Sequence, residues 1–343
     1  MKTSGNIHTL LPKVAFEKSR LLSQSQYKDL AASRDLNEFV LKLRKTEYEQ
    51  MEFRGKITLK FIEFELKEVL FSVFEKIIRG APKGFQRFFL AYLLKYELDN
   101  IKTLIRGIYR NLEKEEIQLH YSVERILGRN KIFLEGLNAS DIDTLVIILQ
   151  QLPYGDLIKE IIGILKREKY SFFYLDLLLD LKYLEDLWLA HQKLSRRNRN
   201  IVKKFLGLKI DYYNLETILR AKNLQLEEHL IYRMISPHYY QINYQILDDL
   251  IKNRAVKKEL LHAFQLTEKS AYIFETPEYI TPLFNRRLLK LIHYFYLRPG
   301  FNIGKPFAFL LHKELEVENL RTISVGVHYR KSTEEIMNKL YIL

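Results

Sequence analysis

From Phe85 to Asn111 the apolar side chains Phe88, Phe89, Tyr92, Leu93, Tyr96 and Ile101 return at steps of three and four residues. That spacing gathers them on one face of an α-helix. The same periodicity predicts helices over Ile57–Arg79, Tyr174–Leu194, Asn200–Asn223 and Phe307–Ile323, whereas alternating runs closed by hairpin turns are nearly absent. With 13 glycines and 8 prolines in 343 residues, little interrupts long helices. The expected fold is all-α.

Late in the first of these helices, Glu97 is followed by Asn100, Thr103 and Gly107. The set returns as Asp211, Asn214, Thr217 and Ala221, and again as Glu316, Asn319, Thr322 and Gly326. The asparagines are 214 − 100 = 114 and 319 − 214 = 105 positions apart, about a third of the chain. Seven residues bring a helix back to nearly the same face, so each Asn is aligned with a small residue. The small residue is expected to admit a neighbouring backbone, which the Asn amide would hydrogen-bond. Asp35 to Tyr48 and Asp141 to Tyr154 form a second pair, aligned without a gap at 141 − 35 = 106 residues. Each opens on an Asp suited to cap a helix. A blurred third version lies near Tyr244–Ile251. These repeats predict three related helical units over 1–115, 116–225 and 226–343, with the N-terminal helix free to pack on another unit. Three equivalent copies argue for a structural contact, since an active site is usually built once.

Ahead of each motif helix stands a basic break: Arg79 to Gly84 with Lys83, Ser195 to Arg199 with Arg196, Arg197 and Arg199, and Arg298 to Pro306 with Lys305. The breaks precede their asparagines by 13 to 21 residues, roughly 20 to 30 Å of helix. If the units surround a pseudo-threefold axis, Arg79, Lys83, Arg196, Arg197, Arg199, Arg298 and Lys305 form one rim facing a partner. The alternative is that basic loops keep helix hairpins soluble.

The net charge of +13 draws such a chain toward nucleic acid, anionic lipid or an acidic protein surface, without choosing among them. The absence of cysteine excludes disulfides and thiolate metal sites and fits a reducing compartment. No apolar run approaches the roughly 18 residues of a membrane span, and no secretory block follows Lys2. Candidate chemistry is sparse. Pro299 to Pro306 lacks the first Gly and the final hydroxyl of a phosphate loop, and Pro306 suits the first turn of a helix instead. No two of the nine histidines share a helical face at i, i+4 spacing, and no Gly-x-Ser-x-Gly elbow occurs. The basic run at 195–204 carries no recognised nucleic-acid motif.

Taken in order, Ser19 to Ser23 with Tyr27 and Leu30, Thr46 to Tyr48, Asp99 to Gly107, Asp211 to Arg220, Lys305 to Leu310 and Glu314 to Ile323 resemble the C subunit of archaeal and bacterial A/V-type rotary ATPases. This family is equivalent to the d subunit of the eukaryotic vacuolar ATPase. The likeness spans nearly the whole chain. Val325 ends the third motif differently, and Asn198 to Asn200 replace a glycine-bearing turn. The resemblance implies a funnel of three helical units around a pseudo-threefold axis. Such a subunit is peripheral, on the cytoplasmic side of the membrane, and present as one copy in a hetero-oligomeric complex. It carries no catalytic centre, metal or cofactor and binds no nucleic acid. Its implied partners are the proteolipid ring of the membrane sector and the central shaft subunits D and F, with the membrane surface close by. It couples ring to shaft during ion-translocation-linked ATP synthesis or hydrolysis. A helical-repeat scaffold and a basic nucleic-acid-binding protein are the competing readings.

Overall fold

A computed structural model describes residues 5–51, 56–117, 119–167 and 171–343. Among these the chain is all-α, with no strand. Three short helices come first, α1 (Ile7–Ser19), α2 (Gln24–Ala31) and α3 (Leu36–Leu43), followed by the long α4 (Leu59–Gly80) and α5 (Lys83–Tyr109). The order then repeats. Short helices α6 (Tyr121–Leu127), α7 (Asn130–Leu137), α8 (Ile142–Leu149) and α9 (Gly155–Leu165) lead into long α10 (Ser171–Gln192) and α11 (Arg196–Asn223). A third round runs through α12 (Glu228–Met234), α13 (Tyr244–Ile251) and α14 (Lys257–Ala263) to α15 (Ile280–Leu297) and α16 (Gly304–His328), with α17 (Thr333–Met337) at the end.

The ends of these helices are set by local chemistry. Asp35 and Asp141, aligned in the sequence, cap α3 and α8 in the same way: each accepts a hydrogen bond from the N–H three residues on, with extended backbone at φ −154° and −157°. In the blurred copy Asn243 does the same for α13. All three capped helices are eight residues long.

The three motif helices stop by one device. Asn111, Gln225 and Arg330 each stand 11 residues after the motif Asn and take the left-handed conformation, at φ 52°, 55° and 53°. The next N–H reaches back five residues to the small residue's carbonyl: Leu112 to Gly107 (3.0 Å), Leu226 to Ala221 (3.0 Å) and Lys331 to Gly326 (2.9 Å). The left-handed residue itself bonds three residues back, to Ile108, Lys222 or Val327. Both bonds of a Schellman cap are therefore present three times. A side chain at a left-handed position carries strain of about 1 kcal/mol. Arg330 is exposed, so Arg330→Gly is expected to raise stability by up to about 1 kcal/mol. Thermal unfolding checks this, and a loss of stability would show that the Arg side chain makes a contact outweighing its strain.

The chain forms two compact units, 1–89 with 195–202 and 285–343, and 90–194 with 203–284. In the first, the opening half of α16 is buried on nearly every side, as a helix at the centre of a core must be, and its closing half leaves the stripe of Arg321, Val325 and His328 exposed. Helices α1, α2, α3, α4 and α17 all pack on it, and Phe307 from α16 meets Phe88 and Phe295 at ring separations of 5.2 and 6.3 Å. The second unit has its own aromatic core, with Tyr92 on Phe205 (5.8 Å) and Tyr212 on Phe264 and Phe284 (5.1 and 5.4 Å).

Candidate functional site

The repeated asparagines all do the same thing. Asn100 donates to the carbonyl of His120 (3.2 Å) and accepts from its N–H (3.0 Å). Asn214 makes the same pair with Ser236 (3.2 and 2.8 Å), and Asn319 with Tyr341 (2.8 and 2.8 Å). An amide side chain here replaces one missing strand or helix partner, satisfying both polar groups of one residue in the returning chain. The returning residue lies 20, 22 and 22 positions on.

The small residue seven positions after each Asn makes room for a side chain, where the sequence led us to expect a backbone. A Cβ on Gly107 would stand 2.6 Å from Ile117, and one on Gly326 would stand 2.5 Å from Ile336. Each Ile lies ten residues after its Gly. Ile231, ten after Ala221, is likewise buried. Thr103 bonds back to the carbonyl of Asp99 (2.8 Å), Thr217 is buried and Thr322 half-buried.

The motif acids are all buried, yet each has different partners. Asp211 accepts two backbone N–H groups, from Tyr240 (3.0 Å) and Gln241 (2.6 Å). Glu97 is paired with the Arg129 guanidinium, which also reaches the Tyr154 hydroxyl (3.3 Å). Glu316 accepts from the N–H of Leu22 (2.6 Å), the hydroxyl of Tyr48 (2.8 Å) and the ammonium of Lys313 (2.6 Å). Lys313 also bonds Tyr48 (3.0 Å) and Glu47. Burial opposes ionisation of Glu316, but Lys313 and its hydrogen bonds hold its carboxyl below the ordinary value. Burial raises the neighbouring Glu47 carboxyl to about 8. The aligned tyrosines Tyr48 and Tyr154 thus occupy matching places beside a motif acid and its cation.

Lys313, Glu47, Glu124 and Arg129 were not singled out from the sequence. Lys313 had a signal, since it stands three residues before Glu316 on the same helical face. Glu47 lies within the repeated segment that closes on Tyr48 but is not itself repeated, its aligned residue being Pro153, and Glu124 and Arg129 come from a segment with no regular spacing to the motif.

The three basic breaks all lie in the first compact unit, and contacts link them. Arg197 donates to the carbonyl of Pro299 (3.4 Å), and Asn198 accepts from the N–H of Ile303 (3.1 Å). Near the start of α1, His8 lies on Phe301 with ring centroids 4.2 Å apart, and Gly5 lies against Gly80 and Ala81. Lys83 opens α5, and Lys305 sits in the first turn of α16. Arg79 pairs with Glu75, and Arg298 bonds the Tyr294 hydroxyl (2.9 Å). The second break is shorter than its sequence implies. Arg196 is the first residue of α11, so Arg196, Arg197 and Arg199 lie in the opening turn of a helix. Cations there oppose the helix dipole, which is why they read as a loop. No acidic residue lies in the first turn of α5, α11 or α16 to compensate.

Among the described residues no group of His, Asp and Glu has an arrangement that could hold a metal ion, and no helix is long and apolar enough to cross a membrane. Among the described residues, fold and site define an all-helical repeat protein in which a buried asparagine closes the same kind of joint three times. The chain belongs to the ATP synthase (C/AC39) subunit family, whose model matches residues 11–339. It is 28% identical to the C subunit of the A-type ATP synthase of Methanothermobacter thermautotrophicus, over 89% of this chain and 80% of that one. Identity to the C subunit of the Thermococcus onnurineus A-type ATP synthase is 26%, over 89% and 82% of the two chains. For the protein of the same name from Methanocaldococcus jannaschii it is 25%, over 96% and 85%. Family membership makes this one component of a rotary ATPase of the A/V type, a complex of many different chains.

Proposed function

We propose that the protein is a non-catalytic adaptor in the central stalk of its ATPase, coupling the membrane proteolipid ring to the shaft formed by subunits D and F. In this role it transmits torque during ion-translocation-linked ATP synthesis or hydrolysis, as one copy on the cytoplasmic side of the membrane. Three helical units, 1–115, 116–225 and 226–343, form a funnel around a pseudo-threefold axis. The observation that carries this reading is the thrice-built joint, with a family match over nearly all of the chain. A joint repeated about every third of the chain suits a socket that holds a shaft, and it commits the motif's polar residues to support rather than to chemistry. Affinity purification of the tagged protein from its native membranes is expected to recover proteolipid and shaft subunits together. Recovery of neither, or ATP hydrolysis by the isolated chain, would overturn the reading.

The linked basic breaks are the rim that meets an anionic partner surface in the assembly. Cations crowded at three helix starts are unfavourable in the isolated protein, and an acidic surface opposite would relieve them. The triple variant Arg196→Glu, Arg197→Glu, Lys305→Glu is expected to fold, because these positions are exposed or half-buried. It should dissociate from the complex at a lower salt concentration than the unaltered chain. Unchanged salt sensitivity in the reconstituted complex would rule the rim out.

A further inference from the structure

Glu97 has a second carboxyl against it, Glu124 on α6, and both residues are completely buried. Asn100 donates to Oε1 of Glu124 (2.8 Å), and Arg129 donates to Oε2 of Glu97. The remaining oxygens, Oε1 of Glu97 and Oε2 of Glu124, meet no N–H or O–H donor, and the two carboxyls are within hydrogen-bonding reach of each other. The groups facing the pair are Glu97 and Asn100 from α5, the His120 backbone, Arg129 at the start of α7 and the Tyr154 hydroxyl at the start of α9. One guanidinium therefore serves two carboxyls, and two ionised oxygens cannot be held in contact without water. A single proton between them removes the repulsion and supplies the missing donor. The other copies are built differently: Asp211 has two backbone donors, and beside Glu316 the ammonium of Lys313 reaches both carboxyls, whereas Arg129 bonds Glu97 alone of its pair.

We propose that Glu124 is a buried proton-binding site, whose neutral carboxyl donates its O–H to Glu97 and so fastens α6 to the middle of α5. Dissociation passes the proton to solvent and leaves two facing carboxylates, which push the 120–129 segment away from α5. Burial, and then the charge of Glu97, raise the Glu124 carboxyl to about 9, against an ordinary value of 4.5. The sign follows from that direction. The folded segment binds the proton more tightly than the opened one, so the stability it confers is fully present below about 4.5. It declines as pH rises and is lost by about 9, with the opening equilibrium growing about tenfold per pH unit in between. The fastening is thus strong at acid pH and weak in alkali.

Hydrogen exchange across 120–129, corrected for the intrinsic rate, would be compared in the full chain and in Glu124→Gln between about pH 6 and about pH 8. The Gln amide donates to Glu97 as the acid does, so the variant is expected to fold and to show a flat profile, while the unaltered chain shows about a tenfold rise per unit. Equal slopes in the two proteins would overturn the proposal. Infrared spectra of the unaltered chain minus those of Glu124→Gln give a second measurement, in which the Glu47 carboxyl, also raised, cancels. A carbonyl band of a neutral carboxyl should persist at neutral pH and disappear on titration through about 9, and its absence at neutral pH would also overturn the assignment.

Discussion

Replacing Lys313 with Met is expected to lower stability by about 3 to 5 kcal/mol, a large loss for a single substitution. The side chain is fully buried, and its ammonium holds Glu316, Glu47 and the Tyr48 hydroxyl together. Met fills similar volume, so little of the loss comes from a cavity; most comes from leaving two buried carboxyls without a cation. Against a typical folding stability of about 5 to 15 kcal/mol, this is a large share. The Glu47 share of the penalty should shrink as pH falls toward about 8, where that carboxyl takes up a proton even beside Lys313, and the share that remains below is that of Glu316. Adding Glu47→Gln is expected to recover part of the loss, and a double-mutant cycle by urea unfolding would measure the coupling. A single-variant loss below about 1 kcal/mol would mean that water relieves the site. Structurally, the network ties the N-terminal segment at Leu22, Glu47 and Tyr48 to α16 near the other end of the chain. Breaking it should therefore expose 22–48 to proteolysis before the rest of the unit.

That network also marks the boundary of what could be read from sequence. The helices were legible because their periodicity is local, and so were the caps at Asp35 and Asp141, which need only an acceptor three residues before an N–H. The asparagine motif was legible as a repeat, and its backbone partner could be anticipated from the chemistry of a buried amide. The residue on the other side of Gly107 and Gly326 could not. An isoleucine ten positions on leaves no mark until the Schellman cap turns the chain back. The partners of the motif acids were hidden for a stronger reason: Glu47 and Lys313 are separated by 266 positions, and each copy answers its buried charge with different chemistry. Repetition fixes the geometry of the joint, while compensation of its charge is free to vary so long as each carboxyl finds a donor.

If the joint itself supplies the stability, removing its amide should cost most where water cannot enter. Asn214 and Ser236 are both buried, so Asn214→Ala leaves the N–H and the carbonyl of Ser236 with no partner. At about 1 to 3 kcal/mol for each orphaned group, a loss of about 2 to 6 kcal/mol is expected. Asn319→Ala should cost less, about 1 to 2 kcal/mol, because Tyr341 is half-buried and water can replace part of the amide. Asn214→Asp separates shape from chemistry. It keeps the acceptor for Ser236 N–H, loses the donor to the carbonyl, and places a second carboxylate three residues from the buried Asp211. It should therefore be at least as damaging as Ala at neutral pH and improve toward acid pH, where the new carboxyl is neutral and regains a donor. Urea unfolding of the three variants gives the order directly. Equal losses for Asn214→Ala and Asn319→Ala would separate the cost from burial of the orphaned backbone, and the joint would then be a consequence of packing between the helices instead of its cause.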